Sequence, residues 1–575
     1  MVILQKEEMK PEIKNCQNCQ KDFTIETEDF NFYEKIKVPA PTWCPECRLV
    51  RRIACVNSWS LFWGECGKCR KRMMSQFGPK SNVKVWCQPC WWADDWDGTE
   101  YGMDYDPTRP FLAQLKELSE KTPYNALETE YLTLKNCDYS NSIAYSKDCY
   151  LTYWADYCDN VFYSSMVNGL KSSLDCLRGW ESELCYGSIG FEKDYRVFFS
   201  DECDSCVDVW FSRDCYSLTN CIGCVNLRGA SNCIFNVQYS KEDYEQKAKE
   251  LKLYSWKGIQ ELKEKAEKFW LTKPYREYHG HSMNLNVTGE YTFRSKNSKE
   301  GYIVNYAENC KYCQFITVSS VKDSMDYSGW GNGVELAYES IGIGNGASNI
   351  KFSTLCFADV ENIEYSMLCV SGKNNFGCVN LKRKAYSILN KQYSKEEYLK
   401  LRERIIEDMK VNPYIDETGK TWLYGEFFKS GFSNFPYNKS NAMKFLPKTK
   451  DEVLALGYKW DDSEGPTYTT TIKSENLPDT ISQTTDAVLE EVIECANCTR
   501  GYKIVLGELN LLRKMGLPVP HECPKCREND RFALMTKPGM HHRDCNKCGV
   551  GIYTPYVPED PKIVYCVRCY QAEFA

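Results

Sequence analysis

The sequence predicts a mainly β, multidomain protein in which two repeat arrays of parallel strands, with helical inserts, are flanked by two copies of a cysteine-rich metal-binding module. Three observations support this. Eight cysteines near the start recur near the end, every position shifted by 479 residues. Eleven more cysteines between residues 137 and 233 are separated only by multiples of three. Two stretches of that region, 170–190 and 224–244, recur at 321–342 and 378–398.

Each terminal module contains four Cys-x-x-Cys pairs. One such turn places two thiolates close enough to share a metal ion, and two turns complete a tetrahedral shell. A shell closed by four thiolates is typical of structural zinc, so we expect four zinc sites and no catalytic metal. Sequential pairing is our assignment, and interleaved pairing is an alternative that spacing leaves open. The sixteen predicted ligands, in groups of four, are Cys16, Cys19, Cys44 and Cys47; Cys66, Cys69, Cys87 and Cys90; Cys495, Cys498, Cys523 and Cys526; and Cys545, Cys548, Cys566 and Cys569.

The first half of each module shares an aromatic residue four positions after the second cysteine (Phe23, Tyr502), then Pro-x-Pro and Cys-Pro-x-Cys-Arg. This pattern resembles the "probable zinc-ribbon" family. The second half of the C-terminal module, CNKCGVGIYTPYVPEDPKIVYCVRCY, resembles another short zinc ribbon; its N-terminal counterpart has Arg70 in place of Gly549. The resemblance implies a duplicated double zinc-ribbon module. The whole chain resembles large uncharacterised bacterial zinc-ribbon domain-containing proteins, which bring no known activity.

The middle of the chain predicts two parallel β-solenoid (β-helix-like) arrays. Cysteine steps of six and 18 residues favour an 18-residue, three-faced coil with small and aromatic side chains inside. At matched positions Cys176 becomes Tyr327 and Cys185 becomes Ala337, which favours buried packing groups over metal ligands. One further metal site is considered at Cys203, Cys206, Cys221 and Cys224. It would require a corner, because residues i and i+3 of a regular strand face opposite sides.

The predicted domains follow from these patterns. A helix after each array begins at a serine cap, Ser240 or Ser394. The segment 413–490 is expected to be a poorly packed connector. The boundaries are 1–100 for the N-terminal double zinc-ribbon module, 101–135 for a connector with a short helix, 136–238 for the first array, 239–278 for a helical segment, 279–392 for the second array, 393–412 for a helix, 413–490 for a connector and 491–575 for the C-terminal module.

Charge and hydropathy limit the compartment and the partners. The formal net charge is −7, and residues 16–90 and 495–569 each carry 12 Lys+Arg against 7 Asp+Glu. This is a mild nucleic-acid signal confined to the ends. Met1–Glu8 is too short and too charged for a signal peptide, and no stretch suits a membrane span. We therefore expect a cytoplasmic protein without a membrane partner, where thiolates stay reduced for metal.

No catalytic residues are predicted. The chain lacks a P-loop, Gly-x-Ser-x-Gly, His-Glu-x-x-His and a dinucleotide fingerprint, and His279 and His281 are read as loop residues. We expect an intracellular zinc-binding scaffold that contacts RNA or a ribonucleoprotein through its ribbons. A protein–protein scaffold without nucleic acid is the alternative, and a β-helix carbohydrate-active enzyme is the minority alternative, resting on fold analogy alone.

The candidate partner contacts are the basic and aromatic residues of the modules, which suit phosphates and stacked bases. The bland alternative is that the arginines cover apolar surface. The candidates are Arg48, Arg51, Arg52, Arg70, Lys71, Arg72, Trp86, Trp91, Trp92, Arg527 and Arg531.

Overall fold

The computed structural model describes residues 10–280, 283–463, 465 and 467–574. The Met1–Glu8 segment and His281 lie outside the described residues. The chain divides into two compact units. Unit 1 comprises Met1–Ala126, Tyr278–Asp461 and Lys537–Met540, and unit 2 comprises Leu127–Glu277, Asp462–Thr536 and His541–Ala575. The N-terminal module therefore shares a unit with the second array, and the first array shares a unit with the C-terminal module.

The described residues contain twelve α-helices. They are α1 (Thr27–Ile36), α2 (Pro45–Ile53), α3 (Gln88–Trp92), α4 (Phe111–Lys121), α5 (Lys241–Glu250), α6 (Trp256–Leu271), α7 (Lys395–Val411), α8 (Ala442–Phe445), α9 (Lys450–Ala455), α10 (Leu506–Met515), α11 (Pro524–Leu534) and α12 (Val567–Phe574).

The strands dominate the described residues, which makes the protein mainly β with large parallel sheets, as predicted. The N-terminal module has β1 (Glu12–Asn15), β2 (Asp22–Ile25), β3 (Phe62–Glu65), β4 (Arg72–Ser75), β5 (Val85–Trp86) and β6 (Tyr124–Asn125). The first array has β7 (Asn141–Ala144), β8 (Tyr153–Asp156), β9 (Asp159–Phe162), β10 (Ser165–Asn168), β11 (Lys171–Leu174), β12 (Leu177–Trp180), β13 (Ile189–Glu192), β14 (Tyr195–Phe198), β15 (Asp201–Asp204), β16 (Val207–Trp210), β17 (Arg213–Tyr216), β18 (Thr219–Ile222), β19 (Ser231–Ile234) and β20 (Val237–Gln238).

The remaining strands follow in chain order. They are β21 (Tyr275–Arg276), β22 (Gly289–Phe293), β23 (Gly301–Asn305), β24 (Ala307–Glu308), β25 (Gln314–Ile316), β26 (Val321–Lys322), β27 (Met325–Ser328), β28 (Val334–Ile341), β29 (Ser348–Lys351), β30 (Glu361–Glu364), β31 (Lys373–Phe376), β32 (Ala385–Ile388), β33 (Lys391–Gln392), β34 (Tyr414–Ile415), β35 (Thr421–Trp422), β36 (Ile472–Lys473), β37 (Ile493–Glu494), β38 (Gly501–Tyr502), β39 (His541–Asp544), β40 (Gly551–Thr554) and β41 (Val564–Tyr565).

The two terminal modules have the same local structure. Helices α1 and α10 occupy positions that differ by the same 479-residue shift as the cysteines, and so do the hairpins β3–β4 and β39–β40. Proline at the first helical position starts both α2 and α11 directly after a cysteine. In each module the last short strand pairs in parallel with a strand from outside it, β5 with β6 and β41 with β21.

Parallel strands of the first array repeat every 12 residues. Leu177 of β12 pairs with Ser165 on one side and with Ile189 on the other. A seven-stranded sheet, β17-β15-β13-β12-β10-β8-β7, follows this register throughout. The predicted 18-residue coil is therefore wrong. Its cysteine steps arise because 12-residue register places different cysteines in neighbouring interior columns.

The interior of the first array has a period of three. From Cys137 to Cys224 every third residue is buried, and the residue before each interior position has a positive φ from Ser142 to Asn232. A left-handed residue at every third position turns the chain, so that residues i and i+3 both point inward. The expectation that Cys203 and Cys206 face opposite sides is wrong for this reason: both are buried in one core cluster.

Serine side chains form ladders inside the first array. Ser212 Oγ accepts a hydrogen bond from the backbone N–H of Cys224 at 3.0 Å, and Ser200 Oγ accepts one from Ser212 N–H at 3.1 Å. Interior thiols lie near carbonyl oxygens in the same way, as with Cys215 Sγ and Arg213 O at 3.3 Å. Small polar side chains thus satisfy buried backbone groups that the tight turns leave unpaired.

The second array has a less uniform register. Its strands are parallel, with an offset of 12 residues between β22 and β23, 14 between β25 and β27, and 13 between β29 and β30. Helix α7 follows this array and begins at the Ser394 capping box, as predicted. Helix α5 follows the first array and is capped by Ser240.

The segment after α7 is well packed, which corrects the expectation of a loose connector. Trp422, Phe427, Phe428 and Tyr437 are at most 1% exposed. Phe315 of the second array and Phe445 have ring centroids 4.5 Å apart. Aromatic side chains at these positions bury enough apolar area to order a segment that has few regular elements. Among the described residues, no helix has both the length and the apolar character that a membrane span requires.

Candidate metal centre

Four groups of four cysteines lie in the described residues with all sulfurs of a group within 4.8 Å of one another. Each group joins two consecutive Cys-x-x-Cys pairs, so sequential pairing is confirmed and interleaved pairing is not observed. We call the groups beside the helix pairs α1/α2 and α10/α11 the helical clusters: Cys16, Cys19, Cys44 and Cys47, and Cys495, Cys498, Cys523 and Cys526. We call the groups spanning the β3–β4 and β39–β40 hairpins the hairpin clusters: Cys66, Cys69, Cys87 and Cys90, and Cys545, Cys548, Cys566 and Cys569.

The sulfur spacing fits a tetrahedral metal ion. In the helical clusters Cys19 Sγ lies 3.7 Å from Cys44 Sγ, and Cys498 Sγ lies 3.8 Å from Cys523 Sγ. The corresponding hairpin-cluster distances are 3.7 and 3.8 Å. Four ligands at a Zn–S distance of about 2.3 Å in tetrahedral geometry would be about 3.8 Å apart. The chemistry and spacing of these donors therefore fit zinc without movement of the chain.

The same backbone hydrogen bond supports every cluster. The N–H of the third cysteine donates to the sulfur of the first cysteine: Cys44 to Cys16 at 3.2 Å, Cys87 to Cys66 at 3.3 Å, Cys523 to Cys495 at 3.2 Å and Cys566 to Cys545 at 3.2 Å. A donor aimed at sulfur stabilises the thiolate over the thiol. The fold thus holds one sulfur of each group ready for a cation.

The pKa values of these first cysteines follow from that arrangement. Burial opposes ionisation of Cys66, but backbone N–H groups outweigh it and lower its pKa to about 6. Cys545 has the same balance, and its pKa is also lowered to about 6. Hydrogen bonding from Cys44 and Cys47 lowers the pKa of Cys16 despite burial. Metal binding requires the deprotonated thiolate, so these shifts favour metal at neutral pH.

The two kinds of cluster differ in exposure. In the helical clusters three of the four cysteines are buried and the second, Cys19 or Cys498, is intermediate. In the hairpin clusters the second cysteine, Cys69 or Cys548, is exposed. The hairpin clusters are therefore the ones that solvent and chelators reach more readily.

In unit 1 the arginines that follow the second knuckle are buried against the second array. Arg48 contacts Asp326 at 2.9 Å, and Arg52 contacts Asp326 at 3.1 Å and Glu339 at 3.3 Å. Arg51 lies 2.7 Å from Glu426. Burial opposes the charge on Arg48, but Asp326 and the other acidic neighbours raise its pKa well above the usual value. These ion pairs fix α2 on strands β27 and β28.

Unit 2 contains the matching arrangement. Arg531 lies 2.9 Å from Asp175 of the first array, and Arg527 lies 3.1 Å from both Asp175 and Glu508. All these side chains are at most 8% exposed. Burial raises the pKa of Glu508 although Arg527 opposes this shift. The C-terminal module thus uses the same two arginine positions to pack on its array.

The structure therefore separates the predicted contact residues. Five of the arginines are buried in ion pairs within their own unit and cannot touch a separate partner: Arg48, Arg51, Arg52, Arg527 and Arg531. Trp91 is also fully buried, and its indole N–H donates to Pro123 O at 3.0 Å. Trp86 and Trp92 are partly buried. The exposed candidates are Arg70, Lys71 and Arg72.

Sequence reasoning missed Trp63. This residue lies on β3, is 50% exposed, and has the guanidinium of Arg72 over its ring at 3.9 Å from the centroid. The available signal was the 479-residue shift, which matches Trp63 to His542 and so marks a position where the two modules differ.

No additional four-sulfur group was found in the described residues at Cys203, Cys206, Cys221 and Cys224. These four thiols lie in the apolar interior of the first array. Register places Cys203 beside Cys215 and Cys221 beside Cys233, rather than bringing the two Cys-x-x-Cys pairs together.

Comparisons with known proteins identify no relative. No family model matches the chain. No curated protein matches it. Among solved structures it is similar to the crystal structure of a protein described as an acetyltransferase from Desulfovibrio desulfuricans G20, at 10% identity, over 46% of this chain and 68% of that chain, with a TM-score of 0.11. A similarity this weak carries no argument about fold or function.

Proposed function

We propose that this protein is a zinc-stabilised interaction scaffold in which each of the four cysteine groups binds one structural Zn²⁺. The carrying observation is that all four groups have sulfurs at tetrahedral zinc spacing, with four thiolates each. Such a shell leaves no open coordination position for a substrate or a water nucleophile. The metal therefore supplies folding energy, and the function is binding.

We also propose that each module is a double zinc ribbon and each array a β-solenoid. Parallel pairing in 12-residue register, with every third residue inside, supports a narrow, rigid rod for the first array. Rods of this kind offer long surfaces to partners because neighbouring repeats hold each other in place. The buried Arg48–Asp326 and Arg531–Asp175 ion pairs would hold a ribbon rigidly on its rod.

Metal analysis tests this proposal directly. Purified protein should contain four zinc ions per chain by elemental mass spectrometry. A Cys19→Ser variant, which removes one ligand of a helical cluster, should contain three, whereas Cys55→Ser should still contain four because Cys55 belongs to no cluster. A wild-type content near zero, or binding of iron in place of zinc, would overturn the proposal.

A function in binding predicts a captured partner. The tagged protein is to be recovered from cells with and without nuclease treatment. Nuclease-sensitive recovery would support nucleic acid or a ribonucleoprotein, and nuclease-resistant recovery would support a protein partner.

A further inference from the structure

We propose that the exposed β3–β4 hairpin of the N-terminal module binds single-stranded nucleic acid, with Trp63 stacking on a base and Arg70, Lys71 and Arg72 contacting phosphates. This inference rests on the proposed zinc site at Cys66, Cys69, Cys87 and Cys90, which fixes the hairpin. It goes beyond that site by naming the surface and the chemistry of its partner.

The exposed side of the hairpin combines a flat aromatic ring with positive charge. Trp63 is half exposed, and Arg72 lies over its ring. Trp63 pairs with Met74 across the hairpin and Glu65 pairs with Arg72, so Trp63 and Arg72 project from the same face. Arg70 is 77% exposed and contacts Glu65 at 3.2 Å. A guanidinium stacked on an indole is an arrangement that a nucleobase can extend.

The C-terminal module provides an internal comparison. Its β39–β40 hairpin has the same backbone, with matching strands and register. Yet Arg70, Lys71 and Arg72 correspond to Gly549, Val550 and Gly551, and Trp63 corresponds to His542. Residues 62–75 contain four basic residues and one acidic residue, whereas 541–554 contain two and one.

Folding does not require the basic hairpin, because the C-terminal copy forms the same strands without it. Arg70 even occupies a left-handed conformation at φ 64°, where the matched residue is glycine at φ 72°. Gln20 and Thr499 occupy equivalent positions after other knuckles at φ 60°, so the conformation alone does not mark a site. The informative difference is the run of three exposed cations beside an exposed tryptophan.

This chemistry favours nucleic acid over an acidic peptide. Three neighbouring cations suit either partner, but an exposed indole gains most from a planar partner that carries its own negative charge. Base–aromatic stacking is worth about 1–3 kcal/mol per base and tolerates any sequence. Single strands expose their bases for such stacking, whereas duplexes do not.

The test uses the full-length, zinc-loaded protein and fluorescein-labelled 20-nucleotide single strands of mixed sequence, as RNA and as DNA, in fluorescence anisotropy titrations. The main variant is Arg70→Gly/Lys71→Val/Arg72→Gly, which copies the C-terminal hairpin and so preserves a sequence that this fold accepts. The charge-matched control is Lys241→Gln/Lys249→Gln/Lys265→Gln, at exposed positions of α5 and α6.

We expect the main variant to raise the Kd about tenfold or more at 50 mM salt, and the lysine control to change it less than about twofold. Loss of three phosphate contacts should also reduce the slope of log K against log salt by about 2. Trp63→His, the matched residue, should raise the Kd about fivefold or more without changing that slope. Comparison of the RNA and DNA arms identifies the preferred strand.

Several outcomes would overturn the site. They are no binding of either strand by the wild type at 50 mM salt, an unchanged Kd in the main variant, equal losses in the main variant and the lysine control, or tighter binding of a poly-glutamate peptide than of the strands. Zinc content is measured on the same samples. Four zinc ions with no binding would refute the nucleic-acid site alone, whereas a shortfall of zinc in the wild type would refute the proposed zinc centres.

Discussion

Arg48 and Asp326 form a buried ion pair at 2.9 Å between the N-terminal module and the second array. Arg527 and Asp175 occupy the matched positions in unit 2, at 3.1 Å. The arginines are separated by the same 479 residues as the cysteines, and both aspartates lie in the array segments that repeat, 170–190 and 321–342. The duplication therefore preserved a module, an array and the ion pair that packs one on the other.

The first prediction is that Asp175→Ala strongly destabilises unit 2. The change leaves Arg527 and Arg531 buried with one acidic partner fewer, Glu508 being the other. Breaking a buried ion pair from one side costs about 3–5 kcal/mol. Hydrogen exchange measured by mass spectrometry should show a loss of protection in α11 and β11 of that size.

A surface ion pair provides the control for Asp175→Ala. Asp208 contacts Arg196 at 2.5 Å, with side chains 38% and 34% exposed. Asp208→Ala should cost less than about 1 kcal/mol because solvent screens this pair. Equal effects of the two substitutions would contradict a special role for burial at Asp175.

The metal groups were predictable because their signal is local. A Cys-x-x-Cys turn brings its own two sulfurs together, and two such turns on one short module have few ways to combine. Sequential pairing follows from this proximity, and the structure confirms it for all sixteen cysteines. The strands, helices and cap residues of the modules are local in the same sense.

The arrays were harder because their repeat unit is unusual. The three-residue period was visible in the cysteine positions, but it was interpreted with regular strand geometry, in which i and i+3 face apart. The left-handed residue before each interior position changes this, and residues such as Trp154, Tyr157 and Met166 have no preference for that conformation. No residue type in the sequence announced the turns.

The roles of the basic residues depended on tertiary contacts. Arg48 and Arg70 both follow a cysteine knuckle and look alike in sequence. Arg48 lies against Asp326, nearly 280 residues away in the chain, whereas Arg70 is exposed. A pairing across such a distance cannot be read from local pattern, so the sequence could not tell buried anchors from a binding surface.

The second prediction concerns the order of zinc release. Cys69 and Cys548 are exposed, so a chelator reaches the hairpin clusters first. With the chromogenic chelator 4-(2-pyridylazo)resorcinol in excess, we expect two zinc ions in a fast phase and two in a slow phase. Cys69→Ser should halve the fast phase, and Cys19→Ser should halve the slow phase. One common rate for all four ions would contradict the assignment by exposure.

The third prediction is that Asp194→Asn stabilises the first array increasingly as pH rises. Burial raises the pKa of Asp194 well above its usual value. Its Oδ1 accepts a hydrogen bond from Cys206 N–H at 2.8 Å, and within the described residues its Oδ2 has no partner. Between the unfolded pKa, about 4, and the raised native pKa, the folded state binds more protons, so stability falls as pH rises.

Asparagine keeps the acceptor for Cys206 and has no proton to lose. The advantage of Asp194→Asn should therefore grow by up to about 1.4 kcal/mol per pH unit above pH 4. Urea unfolding at pH 4.5, 6 and 8 measures it, with the exposed Asp208→Asn as control. An advantage that stays constant over this range would contradict a neutral, buried Asp194.

The fourth prediction is that Cys137 is the most reactive of the eleven first-array cysteines. Burial raises the pKa of Cys158 and of Cys176 to about 12, so their thiols stay protonated. Hydrogen bonding from Cys149 lowers the pKa of Cys137 to about 7, against the effect of burial. Because the thiolate is the nucleophile, iodoacetamide at pH 7.5 should alkylate Cys137 well before the other two. Peptide mass spectrometry on the zinc-loaded native protein measures each site, and alkylation in urea provides the full-reactivity reference. Equal native rates at Cys137 and Cys176 would show that the array opens as a whole, rather than exposing the thiolate of its first interior position.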